Sequence, residues 1–134
     1  LELEGRMIIG FGSDIIDNKR IKKTIQKFGK KFKNRCFTKN EILKSESRLK
    51  EVNSFAKRYA AKEACAKALG TGLARGVFWK DIEIINDKYG KPFIILHNKA
   101  LSILKKITKS KYRIEVSLSD EIDYSIANVI ISND

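Results

Sequence analysis

The sequence is poor in the residues that announce metal or redox chemistry. Its 134 residues include one histidine, His97, and two cysteines, Cys36 and Cys65. A lone histidine cannot build a zinc site. The two cysteines stand apart, without metal-type spacing, so free thiols in a cytoplasmic protein are the expectation. Proline occurs once, at Pro92, and no Pro-rich or Gly/Ser-rich linker, low-complexity tract or internal repeat divides the chain. No apolar run approaches the length that spans a bilayer. No charged segment followed by an apolar stretch marks secretion. Acidic residues are also scarce. Sixteen Asp and Glu against 28 Lys and Arg leave a net charge of +12.

What is present fits one domain, at residues 7–134. Residues 1–6 precede the only methionine, Met7, and are read as a remnant of recombinant expression. Apolar residues make up 43% of the chain, enough for a single small core. Chains of this size often borrow burial from a second copy, so an oligomer is expected. The basic balance calls for an anionic partner or a solvated basic face. Nucleic acid, an acidic protein and a phosphate-rich cofactor all qualify, and charge does not choose among them.

The position of the charge says more. From Asn18 to Asn40 there are ten Lys or Arg and no acid. Ile21, Ile25, Phe28 and Phe32 interrupt the run at helical spacing. The pattern predicts a basic amphipathic helix, loosened at Gly29, with its apolar side on the body. Lys22, Lys23, Lys27, Lys30 and Lys31 then face outward. Such a face is either simply solvated or a docking surface for something acidic.

Around it the pattern predicts β-α-α-α-β-β-α-β-β. Met7 to Ile16 reads as a strand in which Gly10 and Gly12 permit close backbone approach. Asp17 or Asn18 caps the basic helix. Thr38 and Glu41 form a capping box for a helix from about Lys39 to Leu49. A third helix starts near Asn53 or Ser54, runs through Ala68 and ends at Gly70. Asp81 to Ile85 and Pro92 to Leu96 form a hairpin across a turn-rich link. A helix over Asn98 to Lys109 and strands at Tyr112 to Leu118 and Tyr124 to Ile131 complete an α+β domain with a mainly antiparallel sheet packed against helices.

Two carboxylates stand out. Phe55, Tyr59, Glu63 and Lys67 recur at i+4 and share a helix face. Glu63 then lies on a face that is apolar at one end. It either pairs with Lys67 or binds a cation. Asp14 sits in an apolar run between Gly12 and Ile15-Ile16. It either caps the next helix or helps to hold a metal. Magnesium is commonly held by one or two carboxylates with phosphates and waters.

The stretch Ile9-Gly10-Phe11-Gly12-Ser13-Asp14-Ile15-Ile16, with Arg20 after it, resembles the opening motif of holo-acyl-carrier-protein synthases. Lys57-Arg58-Tyr59-Ala60-Ala61-Lys62-Glu63-Ala64, continuing through Lys67 to Gly72, resembles their central helix. Asp81-Ile82-Glu83-Ile84, Gly90-Lys91-Pro92 and Val116-Ser117-Leu118-Ser119 follow in that family's order. The resemblance runs from Met7 to about Ile131, and the ordered set of motifs is highly specific.

This resemblance implies a 4′-phosphopantetheinyl transferase fold assembling as a trimer, with active sites at subunit boundaries. It implies magnesium on Asp14 and Glu63, and Lys67 beside the transferred phosphate. Coenzyme A is the implied co-substrate, with Arg58 near its 3′-phosphate and Gly70, Gly90, Lys91 and Pro92 around it. Arg20 and the basic helix, including Lys23 and Lys27, match the surface that receives acyl carrier protein. The implied activity is magnesium-dependent transfer of 4′-phosphopantetheine to a carrier-protein serine. It releases adenosine 3′,5′-bisphosphate and supports fatty acid biosynthesis. Glu63 is the candidate base for the serine proton. Some relatives carry a histidine where this chain has Asp120. His97, read as a strand-end or surface residue, does not replace it.

A nucleic-acid-binding module is the rival, given the net charge and the interleaved Phe28, Phe32 and Phe37. Those rings sit at core spacing, no nucleic-acid motif is present, and neither a nucleic acid nor a membrane is the expected partner.

Overall fold

The computed structural model describes residues 7–72 and 79–134, so the expected expression remnant lies outside the described residues. Strand β1 (Met7–Asp17) leads directly into helix α1 (Asn18–Phe28). The Asp17 side chain caps that helix by accepting the Lys19 N–H at 2.8 Å. The basic segment is two helices rather than one loosened helix. Gly29 adopts φ +52°, a conformation costly for any residue with a Cβ, and α2 (Lys30–Cys36) starts afresh after it. The break turns Phe28 outward, where it is 51% exposed, while Ile21 is buried and Phe32 packs edge-on to buried Phe37. Phe28 is therefore not part of the docked apolar side expected from spacing.

Helix α3 (Lys39–Glu46) begins with the expected capping box. Thr38 Oγ1 accepts from the Glu41 N–H and Glu41 Oε1 accepts from the Thr38 N–H. It ends short of Leu49, which is fully exposed. Helix α4 (Glu51–Leu69) begins slightly before the expected start and is capped by left-handed Gly70. After a short 3-10 turn at Trp79–Asp81 come β2 (Ile82–Asn86) and β3 (Pro92–Leu96), then α5 (Asn98–Ile107), β4 (Tyr112–Asp120) and β5 (Tyr124–Asn133).

The strands form two antiparallel sheets, not one. β1-β5-β4 make the larger sheet, and among the described residues β2 and β3 pair only with each other. The sheets and helices make an α+β fold, as the pattern predicts. Helix α4 lies across one face of the larger sheet. Ala60, Ala64 and Ala68 on the helix meet Ala127, Val129 and Ile131 on β5 in a single buried cluster. Glycine makes the contact with β1 possible. A Cβ on Gly10 would collide with the backbone carbonyl of Ala68, and one on Gly12 with that of Ala64. The opposite sheet face carries exposed Phe11, Ile15, Ile126 and Ile130.

A buried polar network ties α3, α4 and the hairpin together. Lys62, fully buried on α4, donates to Glu41 Oε1 at 2.7 Å and to the carbonyls of Trp79 and Ile82. The other Glu41 oxygen accepts the Ile84 N–H at 3.0 Å. Thr38 extends the chain to Glu83, whose second oxygen lies 3.1 Å from His97 Nε2. His97 stands at the N-terminus of α5, partly exposed, consistent with the strand-end position read from sequence.

Candidate active site and cationic cleft

The close glycine contact between β1 and α4 brings three of the sequence-predicted site residues together. Asp14, half-buried on β1, faces the helix. Lys67 donates to Asp14 Oδ1 at 3.1 Å and to the Ser13 carbonyl at 2.9 Å. The lysine thus reaches across to the strand. No Glu63–Lys67 ion pair forms among the described residues, so the simple i,i+4 pairing does not account for Glu63. Asp14 is not a helix cap either, because Asp17 fills that role.

Glu63 is half-buried beside this pair. Burial raises its pKa above the ordinary value, and the Asp14 charge raises it further, against the opposing pull of Lys67 and Arg20. Two carboxylates that repel each other at a partly desolvated site form a hard oxygen donor set suited to magnesium. No cluster of three or more His, Cys, Asp or Glu able to hold a metal exists among the described residues. The donor pair would have to be completed by ligand oxygens and water, as magnesium sites on phosphates are. Tyr59, stacked on Trp79 at 4.4 Å, has its pKa pushed up to about 12 by burial and then by the Glu63 charge. It stays protonated near neutral pH and is no base there.

Towards the N-terminal end of α4 lies a cleft of about 690 Å³. Arg48, Lys50, Lys57 and Arg58 line it, with Asn53, Asn86, Gly90, Pro92, Leu118 and Asp120 among the rest. Arg58 is 3% exposed. Its two terminal nitrogens donate to Ser54 Oγ at 2.8 Å and to Asn86 Oδ1 at 2.7 Å, leaving Nε without a partner. Four cations against one carboxylate give this cleft a net positive lining, suited to an anion.

Over residues 10–127 the chain matches the sequence profile of the 4′-phosphopantetheinyl transferase superfamily. The chain belongs to that superfamily. A holo-[acyl-carrier-protein] synthase of Agrobacterium fabrum is 50% identical over 127 residues, covering 93% of this chain and 95% of the relative. The crystal structure of the holo-[acyl-carrier-protein] synthase of Neisseria meningitidis superposes with a TM-score of 0.81 at 42% identity, over 93% of this chain and 98% of that one. The Bacillus anthracis synthase, solved in complex with CoA (3′,5′-ADP), gives 0.77 at 32% identity, over 96% and 99%. The resemblance carried by the motifs is thus borne out, and with it an enzyme of the phosphopantetheinyl transferase type.

In this transferase the residues expected around the cofactor fall into two groups. Arg58, Gly90 and Pro92 line the cationic cleft. Lys91 is exposed on the hairpin turn and is not among the lining residues, and Gly70 caps the far end of α4. Arg20, Lys23 and Lys27 are exposed on α1, Arg20 near enough to Glu63 to lower its pKa. Sequence reasoning missed Arg48, Lys50, Asn53, Lys57 and Asn86. Asn53 and Lys57 are spaced i,i+4 on the central helix, a signal that was legible. Asn86 ends a strand and carries no pattern of its own.

Proposed function

We propose that this transferase moves 4′-phosphopantetheine from coenzyme A to a serine of acyl carrier protein, in support of fatty acid biosynthesis. The observation that carries the proposal is that one helix, α4, bears both a carboxylate–lysine corner and an anion-binding cleft. The Bacillus anthracis relative is in complex with CoA (3′,5′-ADP), a phosphate-bearing ligand of the kind such a pair of features would suit.

In this reading the cleft takes the nucleotide end, with Arg58 near the 3′-phosphate, and the pyrophosphate lies at the corner. Asp14 and Glu63 would hold a magnesium ion, which supplies charge neutralisation as negative charge builds on the phosphate oxygens. Lys67, oriented by Asp14 and the Ser13 carbonyl, puts a fixed positive charge beside the phosphate. The serine oxygen attacks the phosphorus bonded to pantetheine. The bond from that phosphorus to the leaving oxygen breaks, and adenosine 3′,5′-bisphosphate departs. Glu63 takes the serine proton, directly or through a water. A carboxylate whose proton affinity burial has raised is better suited to that task than an ordinary one.

Acyl carrier proteins are acidic, and the exposed lysines of α1 adjoin the corner through Arg20, which fits docking there. The exposed apolar centre of the open sheet face, Phe11, Ile15, Ile126 and Ile130, fits a homotrimer. Ser13 and Ile15 on that face flank Asp14, so a neighbouring subunit packed there would border the corner. No described helix is long and apolar enough to cross a membrane.

The deciding assay is mass spectrometry of apo-acyl carrier protein incubated with this enzyme and coenzyme A. A magnesium-dependent gain of one phosphopantetheine is expected. No gain with a folded enzyme would overturn the proposal.

A further inference from the structure

We propose that Lys57 is the cation that recognises the terminal ribose phosphate of coenzyme A, and that Asp120 is a positioning residue that holds it in place. The inference rests on the reading that the cationic cleft takes the nucleotide end of the cofactor.

Asp120 closes β4 at the rim of this cleft and is the only acid among its lining residues. A carboxylate in an anion-binding cleft opposes its ligand unless it serves something else. Its partners identify what it serves. Asn53 Nδ2 donates to Asp120 Oδ2 at 2.8 Å, and Lys57 Nζ lies 3.1 Å from Oδ1. Each oxygen takes one donor, and the two donors stand one turn apart on α4. Asn53 orients the carboxylate, and the carboxylate orients the ammonium. Burial works against the Asp120 charge, but these two donors outweigh it and hold its carboxyl below the ordinary range, so the group is ionised near neutrality.

The arrangement suits phosphate recognition. A free lysine has a large rotamer entropy, which binding a ligand must otherwise suppress. Fixing Lys57 beforehand removes that cost from the binding step. An ammonium has three donors. One points to Asp120, and no other partner takes the remaining two among the described residues. Arg58 gives part of its fork to Ser54 and Asn86, which leaves Nε and one terminal N–H for a ligand. A phosphate monoester carries close to two charges and three acceptor oxygens, more than the spare Arg58 donors satisfy, and Lys57, the adjacent residue on α4, adds a pre-positioned cation with two donors to spare.

The test compares coenzyme A with dephospho-coenzyme A, which lacks only the terminal phosphate. The readout is the ratio of kcat/KM for the two substrates, which a general loss of fold does not move. Lys57→Ala is expected to raise the KM for coenzyme A about ten-fold and to cut the ratio by a similar factor, the scale of one charge-assisted hydrogen bond. Asp120→Ala is expected to cut the ratio too, although it removes a negative charge from an anion site. The double variant should be no worse than Lys57→Ala alone. Tighter coenzyme A binding in Asp120→Ala, or equal losses on both substrates in Lys57→Ala, would overturn the proposal. Lys57→Arg, which keeps the charge, should recover part of the ratio and guards against a folding artefact.

Arg58→Lys separates the inference from its premise. If it lowers the ratio while Lys57→Ala and Asp120→Ala do not, the cleft takes the phosphate and the positioning role is wrong. If no variant changes the ratio, the nucleotide end binds elsewhere and both fail.

Discussion

Gly12 and Ala64 are in backbone contact: the strand presses on the helix so closely that no side chain fits between them. The obstacle on the far side is a peptide carbonyl inside a helix, which cannot rotate away. Gly12→Ala should therefore destabilise the protein by at least about 1–3 kcal/mol, the cost of overpacking a tight interface. It should also separate Asp14 from Lys67 and reduce transfer beyond what the unfolded fraction explains. Urea denaturation alongside activity at low temperature reads both. A fully stable and active Gly12→Ala protein would contradict the geometry.

Glu63 makes stability and activity oppose each other. Its carboxyl binds its proton more tightly in the folded protein than the ordinary value of 4.5, because of burial and then the Asp14 charge. The unfolded chain therefore ionises first as pH rises, and the folded state loses stability as pH climbs from about 4.5 through the raised value. Glu63→Gln removes that loss. With chelator present, its melting temperature should exceed that of the parent at neutral pH, and the gap should close below about pH 4.5. Its transfer rate should fall by about 10²-fold or more, the scale of losing a positioned base. A lower melting temperature at every pH would rule this account out.

The buried Lys62–Glu41 pair serves the fold rather than the chemistry. Both side chains are fully buried, and burial lowers the Lys62 pKa despite the Glu41 charge. Removing one partner strands the other charge. Lys62→Met should cost about 3–5 kcal/mol, whereas replacing both with apolar residues of similar size should cost much less. Chemical denaturation of the two single variants and the double variant measures the difference. Equal losses in all three would mean the pair is not coupled.

Lys23 and Lys27 lie on α1, exposed and away from the cleft. Reversing both to glutamate should raise the KM for acyl carrier protein several-fold more than the KM for coenzyme A, and weaken the salt dependence of the former. Equal effects on the two substrates would argue against docking on this helix.

Much of the fold was legible because periodicity and caps agree. The Thr38–Glu41 box, the Gly70 cap and the alternation of β4 each follow from a short local pattern. The break at Gly29 was legible only as a loosening, since a glycine inside a helical pattern does not reveal its own φ. The division into two sheets was not legible, because pairing partners are set by tertiary contact. At the site, Gly10 and Gly12 announced a close approach, but only packing shows that its target is α4. Lys67 illustrates the limit most plainly. Spacing pointed it at Glu63, while a strand more than fifty residues earlier supplied its actual partner, Asp14.

Helix α4 also works as a ruler. Lys57 at the cleft and Lys67 at the corner are separated by about 15 Å of axial rise, and no hinge lies between them. One inserted residue in that interval would shift the two ends by about 1.5 Å and twist them by about 100° relative to each other. Every substitution on the solvent side of this helix should be tolerated far better than a change in its length. The distance between the two proposed anion sites is thus written as a residue count, one that neither loop motion nor side-chain repacking can adjust.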